Sequence, residues 1–458
     1  MQNFSRRPTK IFTIDTDSSD LAAKQQRRNG HKGNKDGPIN VFQHLRPLLF
    51  SLRVLGLYSG KQEKDSERFT HWHDHVSSWT CVVLGVLCAH VIASLASCLQ
   101  GQFWASAFSF LKTTVALASS QALIRKEGQV CRLARRLAEI PPATTVSLRT
   151  TATIMAACVW TFVLLRTFVE CAALISCTPQ ELSEHAASSW FGIDSQLPQD
   201  VLLPLCIVDR VLTSVLENGC LFFSMALYLS FAVALRHRYV AFNAVIERHV
   251  LRGAFLDATE LRQLMLAHTD LGSVVRDLDR DFSPSAFLWV ALFVLGVCVE
   301  VSHFLGHRRA GDRYELVIFA QNLGSVTLAF FLLSVLASRL TEAAHASPVS
   351  LHRCLGPAKT TATPLTRGGS SSVGGAPRWP SPQDVTAAGS GPAASPAPFL
   401  EGRILASMLK APAVELTGWG FFTFSRSFVL TLAGALISYV VIILQLNPAT
   451  SGGGKTDH

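Results

Sequence analysis

The sequence predicts an all-α fold: a bundle of seven transmembrane helices in inverted topology, with the N-terminus cytosolic and the C-terminus extracellular. Seven apolar runs, at residues 79–100, 103–123, 150–176, 204–235, 285–305, 314–338 and 424–446, are long enough to cross a hydrocarbon layer that takes about 20 helical residues. Hydrophobic residues make up 49% of the 458 and charged residues 16%, a balance too apolar for a soluble enzyme of this length. Lys and Arg alternate between gaps: 33 fall in the N-terminal segment and the gaps before spans three, five and seven, against 4 in the other gaps and the C-terminal tail. The basic side of a membrane protein is cytosolic, which fixes the orientation.

Residues 1–40 are polar, charged and without a signal-peptide pattern, and read as a disordered cytosolic tail. Apolar residues then recur at helical spacing from Val41 to Gly60 but are interrupted by Arg46 and Arg53, the pattern of an amphipathic interfacial helix. With the first six spans and their cytosolic helical extensions this makes a unit over 41–346. Only Gly101 and Gln102 join the first two spans, so these form a tight antiparallel pair. The fourth run is longer than a bilayer requires and extends past it at one end. Residues 236–284 mix charges with apolar positions at helical spacing, as expected of long helices continuing below the membrane. Such helices serve either as inter-subunit contacts or as a solvated hairpin. Residues 347–398, rich in Gly, Pro, Ser, Thr and Ala, read as a disordered cytosolic insert. Order resumes over 399–447, a cytosolic helix followed by the last span, and 448–458 form a short extracellular tail.

Ionisable groups inside spans are costly and therefore informative. Arg166 and Glu170 stand four apart on one helix face, the spacing of an intrahelical ion pair. Glu170, Glu217, Glu300, His303, Gln321 and Asn322 fall in the outer halves of their helices under this topology. Among Trp160, Phe168, Trp190 and Phe304 they have the make-up of a small-molecule pocket, apolar walls with a few directional groups; ordinary interhelical hydrogen bonding is the alternative. Cys177 and Cys206 flank an expected outer loop, where a disulfide and two free thiols both stay open. His71, His73 and His75 alternate before the first span and read as a solvated cluster, with no metal site expected.

In the last run, Ser427, Thr431, Gly434, Ser438, Val441 and Gln445 are spaced alternately four and three, a small, polar stripe on an otherwise apolar helix. Hydroxyl and amide groups in hydrocarbon need protein or water beside them. The stripe is therefore either a close-packing seam or the wall of a water-filled path shared by several subunits.

Within that helix SYVVIILQL, Ser438 to Leu446, resembles the signature of the arthropod gustatory receptor family, relatives of the insect odorant receptors: Thr-Tyr, five apolar residues, then Gln-Phe. Tyr439, the five residues from Val440 and Gln445 match; Ser438 stands for Thr and Leu446 for Phe. LTGWGFFTFSRS, Leu416 to Ser427, is similar to the family's approach to its last helix, and Gly56 matches a glycine in its N-terminal region. The resemblance implies a plasma-membrane taste chemoreceptor, a ligand-gated non-selective cation channel assembled as a homotetramer or as a heteromer with related receptors. It also implies a pore lined by the last helix, with Leu446 at the constriction beside Gln445, and a pocket for a tastant or metabolite in the outward half of the middle spans. Membrane lipid is the expected surround.

Other classes fit less well. Basic residues are not gathered on one domain among aromatics, so no nucleic-acid partner is expected. GxSxG, HExxH, Walker and GxGxxG patterns are absent, so neither enzymatic activity nor a cofactor is expected. A rhodopsin-like receptor needs an outside N-terminus, a DRY-like triplet after span three and NPxxY in span seven; here Asp279, Arg280 and Asp281 precede span five, and Asn447 and Pro448 follow span seven. A metabotropic receptor of another kind and a secondary transporter remain as alternatives, the second without the internal repeat such folds carry.

Overall fold

Hydropathy decides most of the architecture. A computed structural model describes residues 41–58, 70–99, 103–139, 148–180, 182–183, 186, 198–252, 258–307, 313–354 and 415–446, excepting some side chains near helix ends. Its elements are α1 (Val41–Val54), α2 (Thr70–Leu99), α3 (Phe103–Arg125), α4 (Glu127–Glu139), α5 (Leu148–Ser176), α6 (Gln199–Arg252), α7 (Ala258–His307), α8 (Arg313–Cys354), the strands β1 (Thr417–Gly418) and β2 (Phe422–Thr423), and α9 (Arg426–Leu446). Seven of the helices, α2, α3 and α5 to α9, are long and apolar enough to cross a membrane. The residues 1–40, 355–414 and 447–458 of the expected tails, insert and cytosolic helix lie outside the described residues, as do the side chains of His71, His73 and His75 and all of Trp190.

The centre of the bundle is α6. Its apolar stretch is 89% buried, whereas that of α9 is 0% buried, so α6 is the hub and α9 a peripheral helix of this chain. The reason is compositional: α6 presents Phe223, Ala226, Leu227, Ser230, Phe231, Ala232 and Leu235, small and large residues interleaved on every face, all buried. Both α6, with 54 residues, and α7, with 50, run far past the roughly 30 Å of a hydrocarbon core. The continuation expected over 236–284 is helical up to Arg252 and again from Ala258.

The N-terminal helix α1 turns its apolar face into the bundle. Leu45, Leu48 and Leu52 are buried, as are Leu55 and Leu57 after it, and the Trp160 indole N–H donates to Ser51 Oγ at 3.0 Å. Its end is a Schellman-type stop: Leu57 N–H reaches back to Leu52 O at 2.7 Å across Gly56, whose φ is +72°. A Cβ at Gly56 would stand 3.3 Å from the Thr80 Cα, and Thr80 Oγ1 donates to Gly56 O at 2.7 Å. The glycine thus serves both a left-handed backbone and a close approach to α2.

Three elements differ from the sequence reading. The gap 124–149 contains α4, whose Val130, Cys131, Leu133, Ala134 and Leu137 are buried while Arg132 and Arg135 are exposed. Helix α8 continues to Cys354, through the first residues assigned to the insert, because an established helix adds residues cheaply. The last helix begins at Arg426, and 416–424 form a hairpin, since Gly418 and Gly420 break the helix and Ser425 Oγ accepts the Phe428 N–H at 3.2 Å as an N-cap. Cys177 and Cys206 are separate free thiols.

Pro284 sits inside α7. Lacking an N–H, it leaves the Arg280 carbonyl without its intrahelical donor. The Lys126 ammonium supplies one, donating to Arg280 O at 3.3 Å and Asp281 O at 2.7 Å, and ties the α3–α4 corner to α7. Beside it the Arg136 guanidinium pairs with Asp277.

Gly56→Ala is expected to lower stability by about 1–2 kcal/mol, because it forces a left-handed residue against α2. Gly85→Ala in α2, where nothing stands within 4 Å of the added carbon, should cost nothing. Thermal unfolding of the detergent-solubilised protein checks both.

Candidate functional site

Buried charge is concentrated in one region. Lys112 of α3, Arg166 and Glu170 of α5, Arg210 of α6, Glu300 of α7 and Asn322 of α8 each lie six to eleven residues from their helix's end on the same side of the bundle, roughly 9–17 Å deep. Isolated charges there would be prohibitive, so the question is how each is matched.

The matching runs across five helices. Glu217 accepts from Lys112 Nζ at 2.9 Å and from the Thr113 hydroxyl, with His90 Nε2 at 3.7 Å. Glu170 takes Arg166 Nε at 2.9 Å and Arg210 Nε at 3.3 Å on its two oxygens. Arg166 Nη2 donates to Asn322 Oδ1 at 2.5 Å, and Asn322 Nδ2 donates to Glu300 Oε1 at 2.8 Å. Arg210, Glu170, Arg166, Asn322 and Glu300 therefore form one chain from α6 through α5 and α8 to α7. All are buried except Arg210, whose side chain is 34% exposed. It is the edge through which the network reaches the surface.

Of the expected pocket residues, the fold brings Glu170, Glu300 and Asn322 into that chain, with Glu217 beside it. Gln321 is half-buried and takes no part in these bonds. The side chain of His303 lies outside the described residues. Trp160 is engaged deeper, bonding Ser51 and packing on Phe223 at 5.2 Å, so it braces α1. Phe168 is 71% exposed on the outer surface of α5, and Phe304 stacks on Phe319 at 4.3 Å. Sequence reasoning passed over Lys112 and Arg210. The signal was available: a lone Lys within an apolar run and an unmatched Glu in another require each other.

The second part of the site is α9. Phe428, Val429, Leu432, Leu436, Tyr439 and Val440 are half-buried toward the bundle, where Tyr439 Oη meets Ser302 Oγ at 2.9 Å and donates to Cys298 O at 3.4 Å. Ser427, Thr431, Gly434, Ser438, Val441 and Gln445 are all exposed. At 100° per residue these six fit a sector of about 80°, centred roughly 160° from the packed face. The stripe points away from its own chain, so it is no packing seam within the protomer. Ser438 Oγ returns its proton to Gly434 O at 2.9 Å. The side chain of Leu446 lies outside the described residues.

A hairpin fixes the start of this helix. The turn from Gly418 to Phe421 takes positive φ at Trp419 (49°) and Gly420 (74°) and is closed by Phe421 N–H to Gly418 O at 2.9 Å. A bulky residue with positive φ costs about 1–3 kcal/mol and persists only where its surroundings hold it. Here the Trp419 N–H donates to Ser283 Oγ, while Thr417 donates its N–H to Asp279 Oδ1 at 2.6 Å and its hydroxyl to Oδ2 at 3.0 Å. Gly418 has no room for a side chain, since the Phe422 ring lies 2.1 Å from where a Cβ would stand, and that ring stacks on Phe428 at 4.5 Å.

Lys112→Met should destabilise the protein by about 3–5 kcal/mol, because it strands the Glu217 carboxylate in the bundle. Lys112→Met combined with Glu217→Gln should recover most of the loss, as measured by thermal unfolding.

Comparison with known proteins bears on the fold and on the C-terminal stretch. A family model described as Trehalose receptor matches residues 400–454, the stretch that includes the hairpin and α9. The insect olfactory receptor OR5 from Machilis hrabei in complex with eugenol has a similar structure, at 13% identity and TM-score 0.68, over 90% of this chain and 100% of that one. The structure of the same receptor described without eugenol is similar at 14% identity and TM-score 0.62, over 90% and 100%. No curated protein sequence matches the chain. At such identities the structural likeness establishes the fold, and the match at the C-terminal end supplies the family pattern. The chain thus has the seven-helix fold of an insect olfactory receptor, and its last helix, where Ser438, Tyr439 and Gln445 resemble the gustatory receptor signature, lies within the stretch that is similar to the Trehalose receptor model.

Proposed function

We propose that this protein is a gustatory-type chemoreceptor of the plasma membrane, a ligand-gated non-selective cation channel opened by an extracellular small molecule. In this reading the N-terminus is cytosolic and the channel is a homotetramer or a heteromer with related receptors. The observation that carries the reading is the outward stripe of α9. Thr431 and Gln445 facing acyl chains would be unpaired polar groups in hydrocarbon, whereas facing an axis shared by copies of the helix they solvate a passing ion. Gly434 and Ser438 keep the wall narrow and neutral. Val441 forms the dry constriction when closed, and Gln445 offers polar solvation without charge when open, which suits weak selectivity.

The buried ionic network is the proposed receptor site, and its chemistry favours a hydrogen-bonding agonist. The related receptor was solved with eugenol, a small molecule. Here a ligand entering beside Arg210 would compete for the Arg166–Asn322–Glu300 contacts. Glu300 and Ser302 stand two residues apart on α7 and so point to different sides: Glu300 to the network, Ser302 to Tyr439 of α9. A displacement of α7 by ligand therefore reaches the upper part of the last helix through the Tyr439 hydroxyl, which meets both Ser302 and the Cys298 carbonyl.

Excised patches lacking GTP should show agonist-evoked current. Current that requires GTP would favour a metabotropic receptor, and uptake of the agonist without conductance a transporter. Gln445→Ala should alter relative cation permeability; unchanged permeability would count against α9 as the pore wall. Asn322→Ala should raise the half-maximal agonist concentration by about tenfold or more, since it leaves Arg166 and Glu300 each short of a partner.

A further inference from the structure

The run Asp279, Arg280, Asp281 has no part in the receptor site, yet its first carboxylate binds the segment that launches the last helix. Asp279 accepts two protons from Thr417, and one turn on, Ser283 accepts the Trp419 N–H and sits 3.1 Å from Thr417 Oγ1. The hairpin they hold is anchored from within: Leu416 and Phe424 are each 1% exposed, and Phe422 stacks on Phe428 of α9. At the other end of α9 the hydrogen bonds among the described residues are two contacts of the Tyr439 hydroxyl, with Ser302 and Cys298, beside the half-buried side chains of Leu436 and Val440. We propose that Asp279 and Ser283 are positioning residues that clip the hairpin to α7 and act as a fixed mount for the last helix, intact in both the closed and the open channel. The proposal rests on the channel reading above.

The physical grounds are the asymmetry of the two attachments and the strain at the lower one. Charge-assisted bonds to a backbone N–H and a hydroxyl, made where water is partly excluded, are the stronger kind and fix both position and angle. The bond from the Trp419 N–H to Ser283 helps to hold an unfavourable backbone conformation, so releasing the clip also loosens the turn. A mount of this kind leaves motion to the opposite end of the helix, where Val441 and Gln445 lie.

The 3.1 Å between Ser283 Oγ and Thr417 Oγ1 offers a direct test on the full-length receptor. Ser283→Cys with Thr417→Cys should crosslink on mild oxidation, as shown by non-reducing peptide mapping, and the oxidised receptor should carry an agonist-evoked current at least as large as that of the reduced one. Failure to crosslink, or an oxidised receptor silent until reduced, would overturn the mount. Asp279→Ala should lower the maximal current about tenfold at equal surface expression, whereas Asp279→Asn, which keeps an acceptor oxygen for the Thr417 amide, should retain most of it. An Asp279→Ala current indistinguishable from that of the unaltered chain would also overturn it. If the unaltered chain carries no agonist-evoked current, the channel reading falls and this proposal with it; silence confined to the oxidised double variant overturns this proposal alone.

Discussion

A charged side chain inside a hydrocarbon layer can persist only beside an opposite partner, and that constraint organises this bundle. Three basic groups, Lys112, Arg166 and Arg210, stand with three acidic side chains, Glu170, Glu217 and Glu300, on four helices, and Asn322 of a fifth links Arg166 to Glu300. A buried ion pair adds little net stability over a well-packed apolar pair, because desolvation offsets most of the attraction. What it adds is registry. A one-residue slip of α8 would carry Asn322 away from both Arg166 and Glu300, so the network fixes how deep each helix sits. A set of contacts that defines helix depth is also a set that a ligand can disturb to change it.

The same two helices serve both ends of the proposed signal. Helix α7 carries Glu300 in the network, Ser302 against Tyr439, and Asp279 and Ser283 at the hairpin. Helix α8 carries Asn322 in the network and Glu342, whose carboxylate binds the Arg426 guanidinium at the start of α9, with Nη2 at 2.8 Å. Among the described residues, the hydrogen bonds and the ion pair that tie the last helix to the bundle thus run to the two helices that carry Glu300 and Asn322. Its remaining surface is free for other copies and for water.

Much of the bundle was legible in the sequence because hydropathy acts locally: each span announces itself by length, and the tight pair α2–α3 by a two-residue link. The stripe on α9 was legible as a spacing of four and three. Its direction was not, since periodicity shows that a helix has two faces and not which neighbour each one meets. The partners of Glu217 and Asn322 were illegible for a related reason, being residues 105 and 156 positions away in the chain. The hairpin was missed because strands of two residues leave no periodic trace, and Trp419 at positive φ is held by a tertiary contact rather than by local preference. Helix α4 lay hidden among charges because its apolar face is one stripe of five residues.

The central claim is that the outward stripe of α9 borders water shared among copies of the chain. The measurement closest to it is substituted-cysteine accessibility during agonist-evoked current, using a charged, membrane-impermeant thiol reagent and the unaltered chain as the control for native thiols. The account predicts that Thr431→Cys, Ser438→Cys and Gln445→Cys are modified with a change in current, while Ala433→Cys and Ile437→Cys on the neighbouring exposed face are not. Modification of Ala433→Cys and Ile437→Cys with the stripe positions inert would contradict it.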